Sequence, residues 1–407
     1  MTRFPDFKFS APRQPRLVFG AGTLAGLPGE IKAFANRILI VTGAKSFRNS
    51  DNWPILCDGL NDLGITWQTV AIDGEPSPDV VDDLVARYRN DGIEAVLAIG
   101  GGSALDAGKA IAGLLVPGNS VMDHLEGVGP EHPYTGPALP LIAVPTTAGT
   151  GSEMTKNAVL SRSGPEGFKK SFRDDALVAS LALVDPDLLA TCPPEIIAAN
   201  GMDAFTQLLE SFVSTRANPL SEALAWSGME IFLSGFFEVW HAACGRGDMA
   251  EDRVAEGRAA IAYASMISGV VLAQTGLGSV HGLASPLGCQ FPIPHGVACG
   301  TLLAEACDVN IGALRAREPD SPVLEKYARV GRLLGGQNVE GSSQAQDALV
   351  KTLRLWTQKL DLPPLSAFGV KPSGVARVVA DARGSSMKTN PIVLTDGEIS
   401  EIIYRRL

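Results

Sequence analysis

The chain has 407 residues, 45% of them hydrophobic, and a formal net charge of −10. That length exceeds what one hydrophobic core comfortably serves, so we expect two domains, residues 1–190 and 191–407. The acidic balance argues against a nucleic-acid partner and against an anionic membrane surface. No window approaches a membrane-spanning length, the N-terminus lacks the apolar core of a signal peptide, and the six cysteines are scattered without a CxxC pair. These features predict a cytoplasmic protein with buried thiols and no membrane partner.

Short apolar runs alternate with helix-like segments through the first half of the chain, an order typical of a parallel sheet wrapped by helices. The runs predicted as strands are Arg16–Gly20, Arg37–Thr42, Trp67–Ile72, Ala95–Ile99, Pro140–Val144 and Leu181–Val184. The segments predicted as helices are 23–34, 78–90 and 104–115. From about Pro193 the strand-like runs disappear, so the second domain is predicted to be helical.

Three consecutive glycines, Gly100 to Gly102, lie at the turn between a predicted strand and the helix that follows it. Glycines at such a turn let the backbone approach a ligand closely, and the free N–H groups of the helix attract phosphate. The alternative is an ordinary capping box, with Ser103 as the N-cap and Asp106 as its acid. The strand before, the helix after and a second loop downstream favour a pyrophosphate cradle.

That second loop, PTTAGTGSEMT, runs from Pro145 to Thr155 and also follows a predicted strand. Its threonine hydroxyls and glycine amides can hydrogen-bond phosphate, ribose or a nicotinamide carboxamide. A plain Gly/Thr loop is the alternative. Because open α/β sheets bind ligands at the carboxyl ends of their strands, we expect both loops to face one dinucleotide.

Candidate metal ligands occur in the second half of the chain. Asp203 and Gln207 are four residues apart and so share one helix face, while His281 and His295 flank an apolar segment. One carboxylate and two imidazoles suit Fe(II), Zn(II) or Mn(II), with a position left open for substrate. The alternatives are a helix cap for the aspartate and hydrogen-bonded core positions for the histidines.

Four motifs occur in order along the chain: GGGSALDAGK, PTTAGTGSE, GMDAFTQ and the two-histidine block VHGLASPLG…PHG. With these motifs the chain resembles the iron-containing (group III) alcohol dehydrogenases over nearly its full length. The resemblance implies a Rossmann-like N-terminal α/β domain, an all-helical C-terminal metal-binding domain, a cleft between them for cofactor and metal, and a homodimer or larger homo-oligomer. The site residues that it implies are Gly101, Gly102 and Ser103 at the pyrophosphate with Asp106 nearby, Thr146, Thr147 and Lys170 at the rest of the dinucleotide, and Asp203, Gln207, His281 and His295 at the metal.

Two positions depart from the family pattern. Most members have a histidine where this chain has Gln207, and a carboxamide oxygen is a weaker donor than imidazole, so weaker or altered metal binding is expected. Members usually also have a histidine beside the nicotinamide, where this chain has Ser285. A serine cannot relay the alcohol proton at neutral pH.

The residues after the second predicted strand indicate whether the chain prefers NAD(H) or NADP(H). NAD-specific members place an aspartate there, which binds ribose hydroxyls and repels a 2′-phosphate. This chain has Gly43 at that position, with Lys45 and Ser46 following. The missing carboxylate and the added lysine and hydroxyl favour NADP(H) over NAD(H).

The resemblance therefore implies reversible, metal-dependent reduction of a small aldehyde or ketone to an alcohol, with hydride transfer from the nicotinamide. Three other functions stay open: a metal-independent reductase resembling maleylacetate reductases, a lyase resembling dehydroquinate synthases, and a non-catalytic dinucleotide-binding paralogue. Few lysines or arginines surround the metal motifs, which argues against the lyase, and retention of Asp203, His281 and His295 argues against the metal-independent reductase. No catalytic residue is predicted beyond the metal set.

Overall fold

The computed structural model describes residues 8–162, 167–247, 249–335 and 339–407. Over these ranges the chain forms eight strands and fourteen α-helices. The strands are β1 (Arg16–Phe19), β2 (Arg37–Gly43), β3 (Thr66–Ile72), β4 (Ala95–Gly100), β5 (Leu141–Pro145), β6 (Asn157–Arg162), β7 (Phe168–Arg173) and β8 (Leu181–Val184). The helices are α1 (Leu27–Lys32), α2 (Asn52–Asp62), α3 (Pro78–Tyr88), α4 (Gly102–Leu114), α5 (Pro194–Val213), α6 (Pro219–Leu233), α7 (Phe236–Ala243), α8 (Glu251–Thr275), α9 (Ser279–Gln290), α10 (His295–Arg317), α11 (Pro322–Gly335), α12 (Ser342–Lys359), α13 (Val375–Asp381) and α14 (Asp396–Tyr404).

Six of the described strands form one parallel sheet in the order β1-β8-β5-β4-β2-β3, and they are the six runs that the sequence predicts as strands. Alternate residues of β2 point to opposite faces of the sheet. Leu39 and Val41 join an apolar cluster with residues of α3 and α4, whereas Ile38 and Ile40 join one with residues of α1 and α2. Helices therefore cover both faces, which explains why the central strands read as continuous apolar runs.

The antiparallel hairpin of β6 and β7 is not predicted from the sequence. Its strands pair from Asn157 with Arg173 to Arg162 with Phe168. Buried residues alternate with half-buried ones along most of β6, whereas in β7 Phe172 is buried and its neighbours are half-buried or exposed. Charged residues such as Lys169 and Lys170 occupy part of β7, so no apolar run marks it. Helix α2 is not predicted either, and the segment predicted as one helix at 23–34 begins with a separate 3-10 turn, Thr23–Gly26.

The chain packs into two compact units. Arg13–Gly201 and Ile231–Val270 form the first, called here the sheet unit. Met202–Glu230 and Val271–Leu407 form the second, the helical unit, together with Met1–Pro12, of which residues 8–12 are described. The single domain boundary that the sequence predicts after residue 190 stays a prediction. Residues 231–270 follow that boundary in the chain, but their contacts group them with the sheet unit.

Taken singly, helix α10 is long and apolar enough to cross a membrane by length and composition. The expectation that no window approaches a spanning length is therefore wrong. In the structure 83% of the apolar window of this helix is buried, and the helix packs against α9, α12 and α14. Its apolar composition is that of a core helix of the helical unit.

Candidate functional site

The carboxyl ends of β2, β4 and β5 lie side by side in the sheet unit. Gly100 at the end of β4 pairs with Pro145 at the end of β5, and Thr146 N donates to Gly100 O at 2.9 Å. A β-carbon on Gly100 would lie 3.1 Å from the backbone nitrogen of Gly43 at the end of β2. The glycine loop, the second loop and the position of the missing aspartate thus meet at one edge of the sheet.

Helix α4 begins at Gly102 with Gly101 as its N-cap, and no described side chain caps it. The capping-box alternative is therefore wrong, because Ser103 lies inside the first turn. Ala104 N and Leu105 N donate to Gly101 O, which leaves the N–H groups of Gly102 and Ser103 for an anion, as a pyrophosphate cradle requires. A β-carbon on Gly102 would come within 2.9 Å of Thr150 Cγ2, and one on Gly101 within 3.4 Å of Thr147 Oγ1, so the two loops pack directly together.

Asp106 belongs to a buried polar cluster behind the glycine loop. Its Oδ1 accepts a hydrogen bond from Ser152 Oγ at 2.6 Å and lies 3.4 Å from Lys109 Nζ. Lys109 is fully buried and also donates to Thr155 Oγ1 at 2.9 Å and to Asn157 O at 2.7 Å. Burial raises the pKa of Asp106 and lowers that of Lys109, and each charge partly offsets the effect on the other. The cluster fastens α4 to the second loop, while a place for Asp106 beside the dinucleotide stays a prediction.

The other predicted dinucleotide contacts differ in their exposure. Thr146 and Thr147 are half-buried at the carboxyl end of β5, Ser46 is exposed after β2, and Lys170 is exposed on β7. A β-carbon on Gly43 would meet nothing within 4 Å, so residue 43 borders open space that a larger side chain or a ligand can occupy. The roles of all these residues in binding the dinucleotide stay predictions.

Three of the four predicted metal ligands lie together in the helical unit. His281 Nε2 is 3.2 Å from Asp203 Oδ1, His295 Nε2 is 3.8 Å from the same oxygen, and the imidazole centroids are 5.4 Å apart. The three side chains come from α9, α5 and α10 respectively. Asp203 lies in the interior of α5, which begins at Pro194, so the helix-cap alternative for this aspartate is wrong.

The carboxylate of Asp203 fits a bound cation. The residue is 1% exposed, and its Oδ2 has no hydrogen-bond partner among the residues that the structure describes. A buried acceptor without a partner is energetically unfavourable in a folded protein unless an ion or water occupies the site. Burial opposes ionisation of Asp203, but His295 and His281 outweigh it and hold its pKa at about 2. An ionised oxygen beside two imidazoles is a donor set for a divalent ion.

Glu210 is a site residue that the sequence analysis missed. It is 6% exposed, and its carboxylate accepts hydrogen bonds from His281 Nδ1 and from Val280 N, both at 2.7 Å. The first bond leaves His281 Nε2 facing Asp203. Burial lowers the pKa of His281, but Cys299, Asp203 and Glu210 together raise it well above its ordinary value. The sequence did contain a signal for Glu210, because it lies on α5 seven residues, or two helical turns, after Asp203.

Cys299 is the second residue that was missed. Its Sγ lies 3.6 Å from His281 Nε2 and 3.8 Å from His295 Nε2, and the residue is fully buried. One ligand atom from each of these residues and from Asp203 lies within 4.8 Å of all the others. Cys299 follows His295 by four residues on α10, a spacing that places both side chains on one face.

The two departures from the family pattern also lie in the helical unit. Gln207 is 3% exposed on α5, one turn after Asp203, and Ser285 is half-buried on α9, one turn after His281. Their roles as a weak fourth ligand and as a replacement for a proton-relaying histidine stay predictions.

Two family models match the chain. The model described as iron-containing alcohol dehydrogenase covers residues 14–186, and that of the C-terminal domain of the Fe-containing alcohol dehydrogenase family covers residues 197–407. The chain belongs to the iron-containing alcohol dehydrogenase family. Membership confirms the predicted fold class and makes the protein an oxidoreductase that acts on CH–OH groups, and it supports the predicted metal.

Relatives match the chain over almost its whole length. The 1-propanol dehydrogenase of Salmonella typhimurium is 30% identical and the alignment covers 97% of this chain and 98% of the relative. The NAD-dependent methanol dehydrogenase of Bacillus methanolicus is also 30% identical, with the same coverage of both chains. Among solved structures, the alcohol dehydrogenase from Oenococcus oeni superposes with a TM-score of 0.85 at 25% identity, covering 98% of this chain and 100% of that one.

Proposed function

We propose that this protein interconverts a small alcohol and its aldehyde or ketone with a nicotinamide dinucleotide, and that Asp203, His281 and His295 hold the divalent ion, Fe(II) or Zn(II). The observation that carries the proposal is the cluster of these three side chains, in which Asp203 and His281 are buried, His295 is partly exposed, and Asp203 Oδ2 has no partner among the described residues. A small substrate agrees with the names of relatives that act on propanol and methanol.

Each part of the chain has a separate task in this reaction. The ion, when bound, supplies Lewis-acid polarisation of the carbonyl oxygen. Glu210 orients the His281 ring through Nδ1 and so directs Nε2 into the cluster. The glycine loop and the start of α4 bind the pyrophosphate through backbone N–H groups.

Oxidation of the alcohol releases a hydride from carbon to the nicotinamide and a proton from the hydroxyl group. Ser285 has no group that titrates near neutral pH. We therefore propose that this proton leaves to water rather than to a side chain at position 285.

We further propose NADP(H) as the favoured dinucleotide, because Gly43 leaves out the carboxylate that would repel a 2′-phosphate and exposed Lys45 adds a positive charge nearby. The name of the Bacillus relative supports NAD(H) instead, so the choice needs a direct test. A homo-oligomer and a cytoplasmic location are proposed on the family resemblance and the composition alone, and sedimentation velocity tests the first of these.

Turnover of NADPH and NADH with a panel of small aldehydes tests the function. We expect activity that a chelator removes and that Fe(II), Zn(II) or Mn(II) restores. His281→Ala should lose metal and activity but keep cofactor affinity, because the nucleotide loops belong to the sheet unit. His132→Ala, at an exposed histidine, is the matched control.

Full activity in metal-free protein would instead place the chain among metal-independent reductases. Dinucleotide binding without turnover of any aldehyde would favour the non-catalytic paralogue.

A further inference from the structure

The ligand atoms of Asp203, His281, His295 and Cys299 are spaced as the ligands of one small ion. The distances are 3.2 Å from His281 Nε2 to Asp203 Oδ1, 3.8 Å from His295 Nε2 to the same oxygen, and 3.6 and 3.8 Å from Cys299 Sγ to the two imidazole nitrogens. Ligand bonds of about 2.0–2.3 Å around a tetrahedral ion separate the ligand atoms by roughly 3.3–3.7 Å. The thiol is therefore as well placed for such an ion as the imidazoles are.

The donor types also favour the thiol over Gln207. Asp203 and two neutral imidazoles supply one negative charge against the two positive charges of the ion. The carboxamide of Gln207 adds none, whereas the thiolate of Cys299 would balance the ion's charge and is a stronger, softer donor. The orphaned Oδ2 of Asp203 is independent evidence that a cation belongs in this cluster.

We propose that Cys299 is a direct ligand of the metal ion, which makes the protein's ligand set one carboxylate, two imidazoles and one thiolate and leaves a substrate oxygen to enter as a fifth ligand. The inference rests on the proposed metal site. As the sulfur–metal bond forms, the thiol proton leaves to solvent, and no electron is transferred. A thiolate ligand favours Zn(II) and Co(II) over the harder Mn(II).

Cobalt(II) is the probe, because a thiolate bound to Co(II) gives an intense near-ultraviolet charge-transfer band that oxygen and nitrogen ligands do not give. The full-length protein is stripped of metal and loaded with Co(II), and bound cobalt is counted by elemental analysis. Cys299→Ser is compared with Cys307→Ser, since Cys307 is buried on the same helix but is not part of the four-residue group.

We expect wild type and Cys307→Ser to bind cobalt with the band, and Cys299→Ser to lack the band and bind at least about tenfold more weakly. If the wild type binds cobalt but lacks the band, Cys299 is not a ligand, while the metal site itself is still supported. A wild type that binds no cobalt would overturn the metal site and this inference together. If Cys299→Ser fails to fold, X-ray absorption of the zinc-loaded wild type decides, since one Zn–S distance near about 2.3 Å is required.

Discussion

His281 Nδ1 lies 2.7 Å from Glu210 Oε2, and both residues are buried in the helical unit. A carboxylate in this position fixes the ring tautomer and makes Nε2 a better donor. Glu210→Gln keeps an acceptor for Val280 N but removes the charge, so we expect metal affinity to fall by about 10- to 100-fold.

Competition with a chelator of known zinc affinity measures this effect. Glu222→Gln is the control, since Glu222 pairs with Lys326 at 2.9 Å in the same unit. Equal zinc affinity in Glu210→Gln and wild type would show that Glu210 has only a packing role.

Gln207→His adds an imidazole one turn after Asp203 on the same helix face. This imidazole would be an additional donor beside the carboxylate, two imidazoles and thiolate proposed above, and it is stronger than a carboxamide, so we expect the ion to be held about 10- to 100-fold more tightly. The rate at which a chelator removes the ion should fall accordingly. An unchanged removal rate would place residue 207 outside the coordination sphere.

Gly101→Val adds a side chain where the backbone is proposed to approach the pyrophosphate. We expect cofactor binding to weaken by about 2–4 kcal/mol, the worth of one or two charge-assisted hydrogen bonds, with metal content unchanged. Isothermal titration measures the loss. Gly29→Val in α1, where an added β-carbon meets nothing within 4 Å, is the control. Normal binding by the Gly101 variant would move the cradle elsewhere.

Gly43→Asp tests the choice of cofactor. A β-carbon at residue 43 meets nothing within 4 Å, and the substitution introduces a carboxylate that binds ribose hydroxyls and repels a 2′-phosphate. Paired titrations should give tighter binding of NADPH by the wild type and of NADH by the variant. Tighter NADH binding by the wild type would contradict the proposed preference.

Glu153 is 2% exposed in the second loop, and burial raises its pKa to about 7 from an ordinary value of 4.5, with Lys109 opposing the shift. Because the folded state holds this proton more tightly than the unfolded chain, the residue destabilises the fold as pH rises from about 4.5 to about 7. Below that window the contribution disappears. We expect Glu153→Gln to exceed the wild type in unfolding free energy by up to about 3 kcal/mol at pH 8 and to match it near pH 4.5.

Urea denaturation at several pH values measures this difference, with Glu195→Gln at an exposed position of α5 as the control. An unchanged pH profile in Glu153→Gln would show that Glu153 does not titrate in this range.

The sequence by itself determined the six parallel strands, the glycine loop and the choice of Asp203, His281 and His295 as one group, which the structure brings together. Strands such as β4 are buried at every residue, and a doubly covered strand shows itself as an uninterrupted apolar run. The glycine loop is equally local, since the strand, the turn and the helix that form it are contiguous in the chain.

Only the tertiary structure decided that Glu210 and Cys299 join His281, and that Asp106 faces Ser152 rather than capping a helix. Glu210 and His281 are 71 residues apart in sequence, and Asp106 and Ser152 are 46 apart. Local spacing places Glu210 on the helix face of Asp203 and Cys299 on the helix face of His295. A shared face does not show which residues of other helices these side chains contact. The residues that meet at such a face depend on how helices distant in sequence pack against each other. Turns and strands are set by neighbouring residues, whereas this packing is set by contacts between residues far apart in the chain.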